Sequence, residues 1–210
     1  MTSPSNSSGF DPPVSFLITP GNLTHSGFTK EKKSTLDLVR KARNRGVSFV
    51  QIREKNLPAR LIADLSSKAV EIVKGSETGI LVNDRLDIAL AVGAAGVHLT
   101  GESMRPADIR RFCPESLLIG VSTHSVEEVI SAQDQKADYV FFGPVFDTPA
   151  KRKFGRPKGL DALKRVCNAV PDLPVIAVGG IDGARVGDVI EAGATGFAAI
   201  RYFEEAFLIR

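Results

Sequence analysis

The sequence predicts an α/β protein built as a single (β/α)8 barrel, the TIM-barrel fold. Short apolar segments alternate with amphipathic helical patterns, an order typical of parallel strands joined by right-handed crossovers. Eight such strand segments occur, and they are apolar through most of their length, as strands covered on both faces must be. The rival fold is an open doubly wound sheet, and the absence of a GxGxxG motif weighs against it.

Each predicted strand is a run of β-branched, aromatic or aliphatic residues that stops at glycine, proline or polar residues. The segments "AAGVHL", "KADYVFF" and "GATGFAAI" each end a helix and open a strand, which indicates a repeated unit. In chain order the predicted strands are 14–19, 47–53, 79–84, 96–100, 117–123, 138–144, 174–180 and 196–202.

Apolar residues spaced three and four apart predict the helices between the strands. "TLDLVRKARNRG" and "ARLIADLSSKAVEIV" each carry such a stripe. "SVEEVISAQDQ" opens with Ser125 as the N-cap and has Glu128 three residues later, the capping-box pattern. "GARVGDVIEAGA" ends at Gly193, a glycine suited to the left-handed position that follows a helix.

The chain is predicted to consist of a tail and one domain. Residues 1–13 have the composition of a disordered N-terminal tail, and residues 14–210 form the barrel domain. The tail lacks the pattern of a signal peptide, and no apolar run approaches the ~20 residues that span a membrane. Cys113 and Cys167 stand outside any CxxC or Cys/His spacing, so neither a disulfide framework nor a zinc site is expected. These features together predict a cytoplasmic protein.

The charge distribution argues against nucleic-acid partners. The formal net charge is +3, and the 27 Lys and Arg residues are spread along the chain rather than gathered in a stripe. Their densest cluster, between residues 30 and 45, is interpreted as the solvated face of a helix.

Polar residues appear where nearly every predicted strand ends. In a barrel these carboxyl ends meet on one face, where the catalytic residues of this fold lie. The sequence therefore predicts a polar pocket lined from many strands. In chain order its candidate residues are Thr19, Gln51, Arg53, Lys55, Asn83, Asp84, His98, Thr100, Glu102, Ser122, Thr123, His124, Thr148, Lys151, Gly179, Gly180 and Arg201.

The cations of this set predict an anionic ligand. Arg53, Lys55 and Lys151 would converge on a phosphate or pyrophosphate, Arg through a fork of hydrogen bonds and Lys as a point charge. Two roles are open for Asp84, an ion pair with Arg53 or Lys55, or a Mg2+ ligand that bridges to substrate phosphate. The Gly179–Gly180 pair in "VGGIDGAR" predicts a backbone anion site after the seventh strand.

Two histidines and one loop complete the predicted pocket. His124 follows a strand end and is the candidate for proton transfer, although "STHS" also fits a helix cap. His98 lies within a strand, where a satisfied core histidine is the alternative to a site residue. The loop 146–159 is long and cationic, and it would close as a lid over a phosphorylated substrate.

Seven motifs in this order resemble the thiamine-phosphate synthase/TenI family over roughly residues 14–205. They are "QIREK", "ILVNDRLDIAL", "GVHL", "IGVSTHS", "ADYVFFGPVFDTPAK", "PVIAVGGI" and "AGATGFAAI". The resemblance implies an enzyme of thiamine biosynthesis, a transferase that joins hydroxymethylpyrimidine pyrophosphate to hydroxyethylthiazole phosphate and releases pyrophosphate. It implies a dissociative reaction, in which the enzyme must stabilise a departing polyanion.

The family pattern also implies roles for individual residues. Asp84 would bind Mg2+, while Thr148 and Gly180 would face the thiazole phosphate. The residues expected to hold the pyrimidine pyrophosphate are Gln51, Arg53, Lys55, Asn83, Ser122 and Lys151. The ligands expected are phosphorylated small molecules, and members of the family often self-associate into homo-oligomers.

Three positions depart from the synthase pattern. Ser103 stands where synthases carry an aspartate as second Mg2+ ligand. Glu102 is an alternative ligand for the metal, although neighbouring residues on a strand end point to different sides. Ala150 replaces a threonine, and Arg201 replaces a serine near the thiazole phosphate. Arg201 would either bind that phosphate through charge-assisted hydrogen bonds or act as a new substrate filter.

The weakened metal site leaves two alternatives to the synthase. One is a TenI-type thiazole tautomerase, which shifts a proton on a thiazole phosphate carboxylate without a metal and would use His124 as acid and base. The other is a non-catalytic binder of thiazole or thiamine phosphates.

Overall fold

Eight parallel strands close into a barrel, which confirms the predicted (β/α)8 fold. The computed structural model describes residues 13–148 and 156–207. Neighbouring strands pair in chain order, and the first pairs with the last, so the sheet has no free edge. The strands are β1 Val14–Ile18, β2 Phe49–Ile52, β3 Gly79–Asn83, β4 Gly96–Leu99, β5 Leu118–Thr123, β6 Tyr139–Phe142, β7 Val175–Val178 and β8 Gly196–Ala199.

One helix follows each strand and covers the outside of the barrel. The helices are α1 Phe28–Asn44, α2 Ala59–Val73, α3 Leu86–Val92, α4 Pro106–Arg110, α5 Val126–Asp134, α6 Gly159–Ala169, α7 Val186–Glu191 and α8 Arg201–Ala206. The predicted caps are confirmed: the Glu128 amide donates to Ser125 Oγ at 3.2 Å, and Gly193 follows α7 with φ +99°. Within the described ranges no helix is both long enough and apolar enough to cross a bilayer.

Alternation along the strands divides the core into two layers. Outward residues such as Val50, Val82 and Val140 pack against the helices. Inward residues form a separate apolar cluster inside the barrel. Its buried members are Val14, Phe16, Ile18, Phe49, Leu81, Tyr139, Phe141, Ile176 and Ala198.

Aromatic rings dominate the inner cluster and form a floor, which we call the aromatic floor and define as Phe16, Phe49, Tyr139 and Phe141. The ring of Phe16 stacks on Phe49 with centroids 4.9 Å apart, and it lies 5.1 Å from both Tyr139 and Phe141. Because these side chains fill the interior, the barrel is a packed core and not a pore. Polar inward residues can therefore be solvated only near the barrel mouth.

The last strand is shorter than predicted. The prediction of 196–202 included Arg201, but β8 ends at Ala199 and Arg201 is the first residue of α8. Ile200 has φ −105° and ψ −71°, a backbone conformation that leaves the strand. Tyr202, the aromatic residue at the end of the predicted strand, packs from α8 onto the barrel, with its ring edge-on to the Phe197 ring at 5.1 Å.

Candidate active site

A polar layer lies on the aromatic floor at the carboxyl ends of the central strands. It consists of the inward-facing side chains of Gln51, Asn83, His98 and Ser122, one from each of β2 to β5. The Gln51 amide Nε2 donates to Asn83 Oδ1 at 3.2 Å, and His98 Nε2 lies 2.9 Å from Ser122 Oγ. The structure therefore brings these predicted site residues together in one place.

The Gln51 side chain is able to accept a further hydrogen bond. Its side chain is 1% exposed, and its Oε1 atom has no hydrogen-bond partner within the part of the chain that the structure describes. A buried polar atom without a partner is costly, so such atoms in native proteins usually meet water or a ligand. The amide is therefore suited to a polar ligand that enters the barrel mouth.

Arg53 is a cation near the polar layer, where its charge acts on His98. It follows β2, is partly buried, and lies beside the β1–α1 loop, where a Cβ on Gly21 would be 3.9 Å from Nη1. Burial lowers the pKa of Arg53, while the nearby carboxylate of Glu54 raises it. Across the described ranges, no carboxylate forms an ion pair with Arg53. A partly buried guanidinium without an ion pair is suited to binding an anion.

Glu54 is a buried carboxylate that the sequence reasoning missed. It is 3% exposed, and its two oxygens accept the backbone amides of Gly21 at 3.2 Å and Leu23 at 3.1 Å. These bonds fix the loop against which Arg53 lies. Strand alternation gives the signal in hindsight, because Glu54 points away from the face that carries Gln51 and Arg53.

His98 is both a core histidine and a member of the polar layer. It is 1% exposed, and its ring lies 4.0 Å from the ring of Phe141. Burial and the charge of Arg53 lower the pKa of His98 to about 3. The imidazole is therefore neutral and takes part in hydrogen bonds rather than in charge pairing.

Asp84 lies at the rim of the mouth and is hydrogen-bonded to Ser103. Its backbone has φ +60°, and its amide donates to the His98 carbonyl at 2.9 Å. A residue with a Cβ in this conformation is strained by roughly 1–3 kcal/mol, and such strain concentrates at functional sites. The Ser103 hydroxyl donates to Asp84 Oδ1. The alternative pairing of Asp84 with Arg53 or Lys55 is absent from the described ion pairs.

The oxygens of Asp84 and Ser103 would supply only part of the coordination of a Mg2+ ion. Mg2+ commonly uses one or two carboxylates and takes its remaining ligands from substrate phosphates and water. Across residues 13–148 and 156–207, no three His, Cys, Asp or Glu side chains cluster as a metal site. The residues therefore suit a Mg2+ ion held jointly with a phosphorylated substrate rather than by the protein alone.

His124 lies at the mouth, but its local contacts are structural. Its side chain is exposed, and Nδ1 bonds to the Gly143 carbonyl. Its backbone amide donates to Glu128 Oε2 at 2.6 Å, so the segment also caps α5. The helix-cap interpretation of His124 therefore agrees with its contacts, whereas proton transfer by this residue stays a prediction.

A glycine turn forms the opposite side of the mouth. Gly179 and Gly180 have φ +98° and +68°, and the Phe146 amide donates to the Gly179 carbonyl at 3.0 Å. Arg185, which the sequence reasoning passed over, donates from Nη1 to the Gly180 carbonyl at 2.6 Å and lies over the Phe146 ring. The turn and the root of the β6–α6 loop are thus held together.

Part of the predicted anion site is already occupied by a side chain. Asp182 Oδ1 accepts the amides of Ala184 and Arg185 at 3.1 and 3.2 Å, so these amides are not directed at a ligand. The predicted nest is therefore limited to the Gly179–Gly180 turn and its neighbours.

The remaining predicted residues lie around the rim. Lys55 is exposed in the β2–α2 loop, and Thr148 is partly buried two residues after Phe146. Arg201 is exposed at the start of α8. Outside the described residues lie Ala150, Lys151 and the middle half of the predicted lid.

Comparison with known proteins places this chain in a family. The family model described as thiamine monophosphate synthase matches residues 17–203. The chain is 45% identical over 167 residues to thiamine-phosphate synthase of Methanoculleus marisnigri. The aligned region covers 78% of this chain and 77% of that protein. The chain is 39% identical over 170 residues to thiamine-phosphate synthase of Roseiflexus castenholzii, covering 80% and 74% of the two chains. The solved structure of thiamine phosphate pyrophosphorylase from Pyrococcus furiosus is 31% identical and superposes with a TM-score of 0.76, over 91% of this chain and 87% of that one.

Proposed function

This chain belongs to the thiamine monophosphate synthase family, and we propose that it is a thiamine-phosphate synthase. In this reaction the bond between the pyrimidine methylene carbon and the pyrophosphate oxygen breaks, and the thiazole nitrogen forms a new bond to that carbon. The products are thiamine phosphate and pyrophosphate. The chemical demand on the protein is to stabilise the leaving polyanion while it keeps both partners in line.

The proposal depends on one observation above all, the burial of the Arg53 guanidinium without an ion pair among the described residues. A partly buried guanidinium lies beside the polar layer, without an ion pair among the residues described and with its pKa lowered by burial. Departing pyrophosphate would supply the missing counter-charge, and a forked guanidinium matches its oxygens. The interaction strengthens as charge develops on the leaving group, which is the condition for catalysis rather than mere binding.

The polar layer would bind the rest of the pyrimidine substrate. The unpartnered Oε1 of Gln51 supports a hydrogen bond to a polar group of the ring, and Asn83 holds the Gln51 amide in place. Ser122, partly exposed at the end of β5, would donate to a pyrophosphate oxygen. The aromatic floor beneath would exclude water from the face where a reactive cation forms.

The glycine turn would bind the phosphate of the thiazole substrate. Support comes from its position after the seventh strand, the usual phosphate position in such barrels, and from its contact with the loop that carries Thr148. Arg201 at the start of α8 adds a cation to this side of the mouth. Lys55 at the rim and Lys151 in the loop would extend the positive surface toward the pyrophosphate.

Mg2+ would be held by Asp84 and Ser103 together with the pyrophosphate. When bound, Mg2+ supplies positive charge that offsets the negative charge of the leaving group. The protein's own contribution is to place one carboxylate and one hydroxyl at the rim. Joining the two substrates releases no proton at the thiazole nitrogen, so His124 is not assigned proton transfer in this reaction.

The direct test is to incubate the protein with hydroxymethylpyrimidine pyrophosphate and hydroxyethylthiazole phosphate, with Mg2+ or with a chelator. We expect thiamine phosphate and pyrophosphate to form in equal amounts with Mg2+, and little product without it. A protein that makes no thiamine phosphate but isomerises a thiazole phosphate carboxylate without metal would be the tautomerase instead. Binding of both substrates without turnover would make the protein a non-catalytic binder.

The substitution Ser103→Asp is expected to tighten Mg2+ binding at least about tenfold, or roughly 1.4 kcal/mol. Because Ser103 Oγ contacts Asp84, the new carboxylate would lie beside the existing one, and two adjacent carboxylates favour a divalent cation. Calorimetric titration of Mg2+ in the presence of pyrophosphate measures the effect without turnover. Ser103→Asn, which adds similar bulk without charge, is the matched control. Equal affinities in Ser103→Asp and the parent protein would show that position 103 does not face the metal.

A further inference from the structure

Three side chains from neighbouring strands form a hydrogen-bonded series that runs from the core to the mouth. The Tyr139 hydroxyl lies 3.1 Å from His98 Nδ1, and His98 Nε2 lies 2.9 Å from Ser122 Oγ. Tyr139 is fully buried and His98 is 1% exposed, whereas Ser122 is partly exposed. A hydroxyl deep in the barrel is thus connected, through one imidazole, to a partly exposed serine at the barrel mouth.

Gly120 makes this series possible. Tyr139 on β6 and His98 on β4 are separated by β5, and Gly120 is the β5 residue paired with both of them. A Cβ at Gly120 would lie 2.0 Å from Tyr139 Cζ and 2.3 Å from its hydroxyl oxygen. Because that space is empty, the phenol ring crosses β5 and meets the imidazole.

The protons of the series admit two arrangements, since a neutral imidazole carries one N–H. In the first, Tyr139 donates to Nδ1 and Nε2–H donates to Ser122 Oγ, so the serine proton is free for a ligand. In the second, Nδ1–H donates to the phenol and Ser122 donates to Nε2. The serine then presents only lone pairs, which repel an anion.

The chemistry of the two hydroxyls selects the first arrangement. A phenol is a stronger acid than an aliphatic alcohol, so Tyr139 is the better donor and Ser122 the better acceptor. Burial raises the pKa of Tyr139 well above its usual value, so the phenol keeps its proton. Both nitrogens of the buried imidazole are desolvated, so a donor that faces a donor, or an acceptor that faces an acceptor, is costly. One fully hydrogen-bonded order of protons is therefore favoured over a mixture of the two orders.

We propose that Tyr139 is a positioning residue that holds His98 as its Nε2–H tautomer, so that Ser122 donates its proton to the pyrophosphate group. The proposal rests on the proposed function for the identity of the anion. The order of the protons in the series is a property of the protein itself, and it is open to measurement in the absence of turnover.

Tyr139→Phe removes the phenolic donor with almost no change of shape. We expect kcat/KM for the pyrimidine pyrophosphate to fall at least about fivefold. Without the phenolic donor to Nδ1, the tautomer of His98 that carries its proton on Nε2 is no longer favoured. The KM for the thiazole phosphate should change by less than about twofold, since Ser122 lies on the other side of the mouth. Thr78→Val is the matched control: it removes a buried hydroxyl that donates to the Val47 carbonyl at 2.8 Å, before β3 and far from the mouth.

Two readouts separate positioning from simple stability. The chain has three histidines, so 15N-edited NMR of histidine-labelled protein can assign the His98 tautomer in the free protein and with inorganic pyrophosphate and Mg2+. We expect the proton on Nε2 in the parent protein and a shift of population toward Nδ1–H in Tyr139→Phe. In a Ser122→Ala background, Tyr139→Phe should have little further effect on kcat/KM.

A proton on Nδ1 of His98 in the parent protein would overturn the proposal, as would an undiminished effect of Tyr139→Phe in the Ser122→Ala background. Failure of the synthase assay alone would not decide it, because the tautomer is read from the free protein.

Discussion

Arg53→Ala is expected to lower kcat/KM for the pyrimidine pyrophosphate by at least about tenfold, equivalent to about 1.4 kcal/mol of transition-state stabilisation. Loss of a preorganised donor at a site of developing negative charge commonly costs about 10²–10³ in rate, so the effect is expected to exceed that lower bound. The physical reason is the half-buried guanidinium beside the polar layer, which has no carboxylate partner in the described ranges.

The same substitution should leave the fold intact or slightly more stable in the absence of ligand. Burial of Arg53 without an ion pair lowers its pKa, which means that the folded protein carries a cost for this charge. Thermal unfolding of the free protein should therefore show an unchanged or higher midpoint, while activity falls, a pattern typical of functional residues.

Two variants control for charge and for shape. Arg43→Ala removes an exposed cation on α1, far from the mouth, and should leave kcat/KM unchanged. Arg53→Lys keeps the charge but loses the forked geometry, so its rate should lie between those of the parent protein and Arg53→Ala. An unaltered kcat/KM in Arg53→Ala would reject the placement of the leaving group beside this residue.

Gly180→Ala is expected to raise the KM for the thiazole phosphate by at least about tenfold. The residue has φ +68°, and an added Cβ would lie 2.7 Å from the Asp147 carbonyl oxygen and 2.8 Å from Phe146 Cβ. Since alanine is strained in this conformation by roughly 1–2 kcal/mol and the neighbour is backbone, either the turn or the loop root must move. Both changes displace groups assigned to the same phosphate.

The comparison with Gly183→Ala isolates this effect. Gly183 lies three residues further along the same segment, and a Cβ there meets only Tyr202 Cε2 at 3.8 Å, an ordinary contact. Steady-state kinetics should show parent-like KM values for Gly183→Ala and a selective loss for Gly180→Ala. If both variants bound the thiazole phosphate like the parent, the glycine turn would not be its binding site.

Strand periodicity predicted the barrel because fully covered parallel strands have a strong local signature. It also predicted that Gln51, Asn83 and Ser122 gather at one mouth, since each ends a strand. The exception is β8, because the predicted strand extended to Tyr202, which belongs to α8. Aromatic residues packed from a helix onto a barrel resemble strand residues in sequence.

Contacts that depend on loop conformation or on sheet register could not be predicted in this way. Glu54 binds amides 33 and 31 residues earlier in the chain, and Ser103 meets Asp84 across 19 residues. The contact between Tyr139 and His98 needs both the strand order and the empty space at Gly120. These contacts follow from the closed barrel and become visible only when the register is known.

The central claim is that one barrel mouth binds both phosphate groups of the reaction, the pyrophosphate beside Arg53 and the thiazole phosphate at the Gly180 turn. The most direct measurement is a crystal structure with Mg2+, pyrophosphate and thiamine phosphate. We expect pyrophosphate within hydrogen-bonding distance of Arg53 and Ser122, with the phosphate of thiamine phosphate at the Gly180 turn. Ligands bound outside the mouth, or a phosphate far from both Arg53 and Gly180, would contradict it.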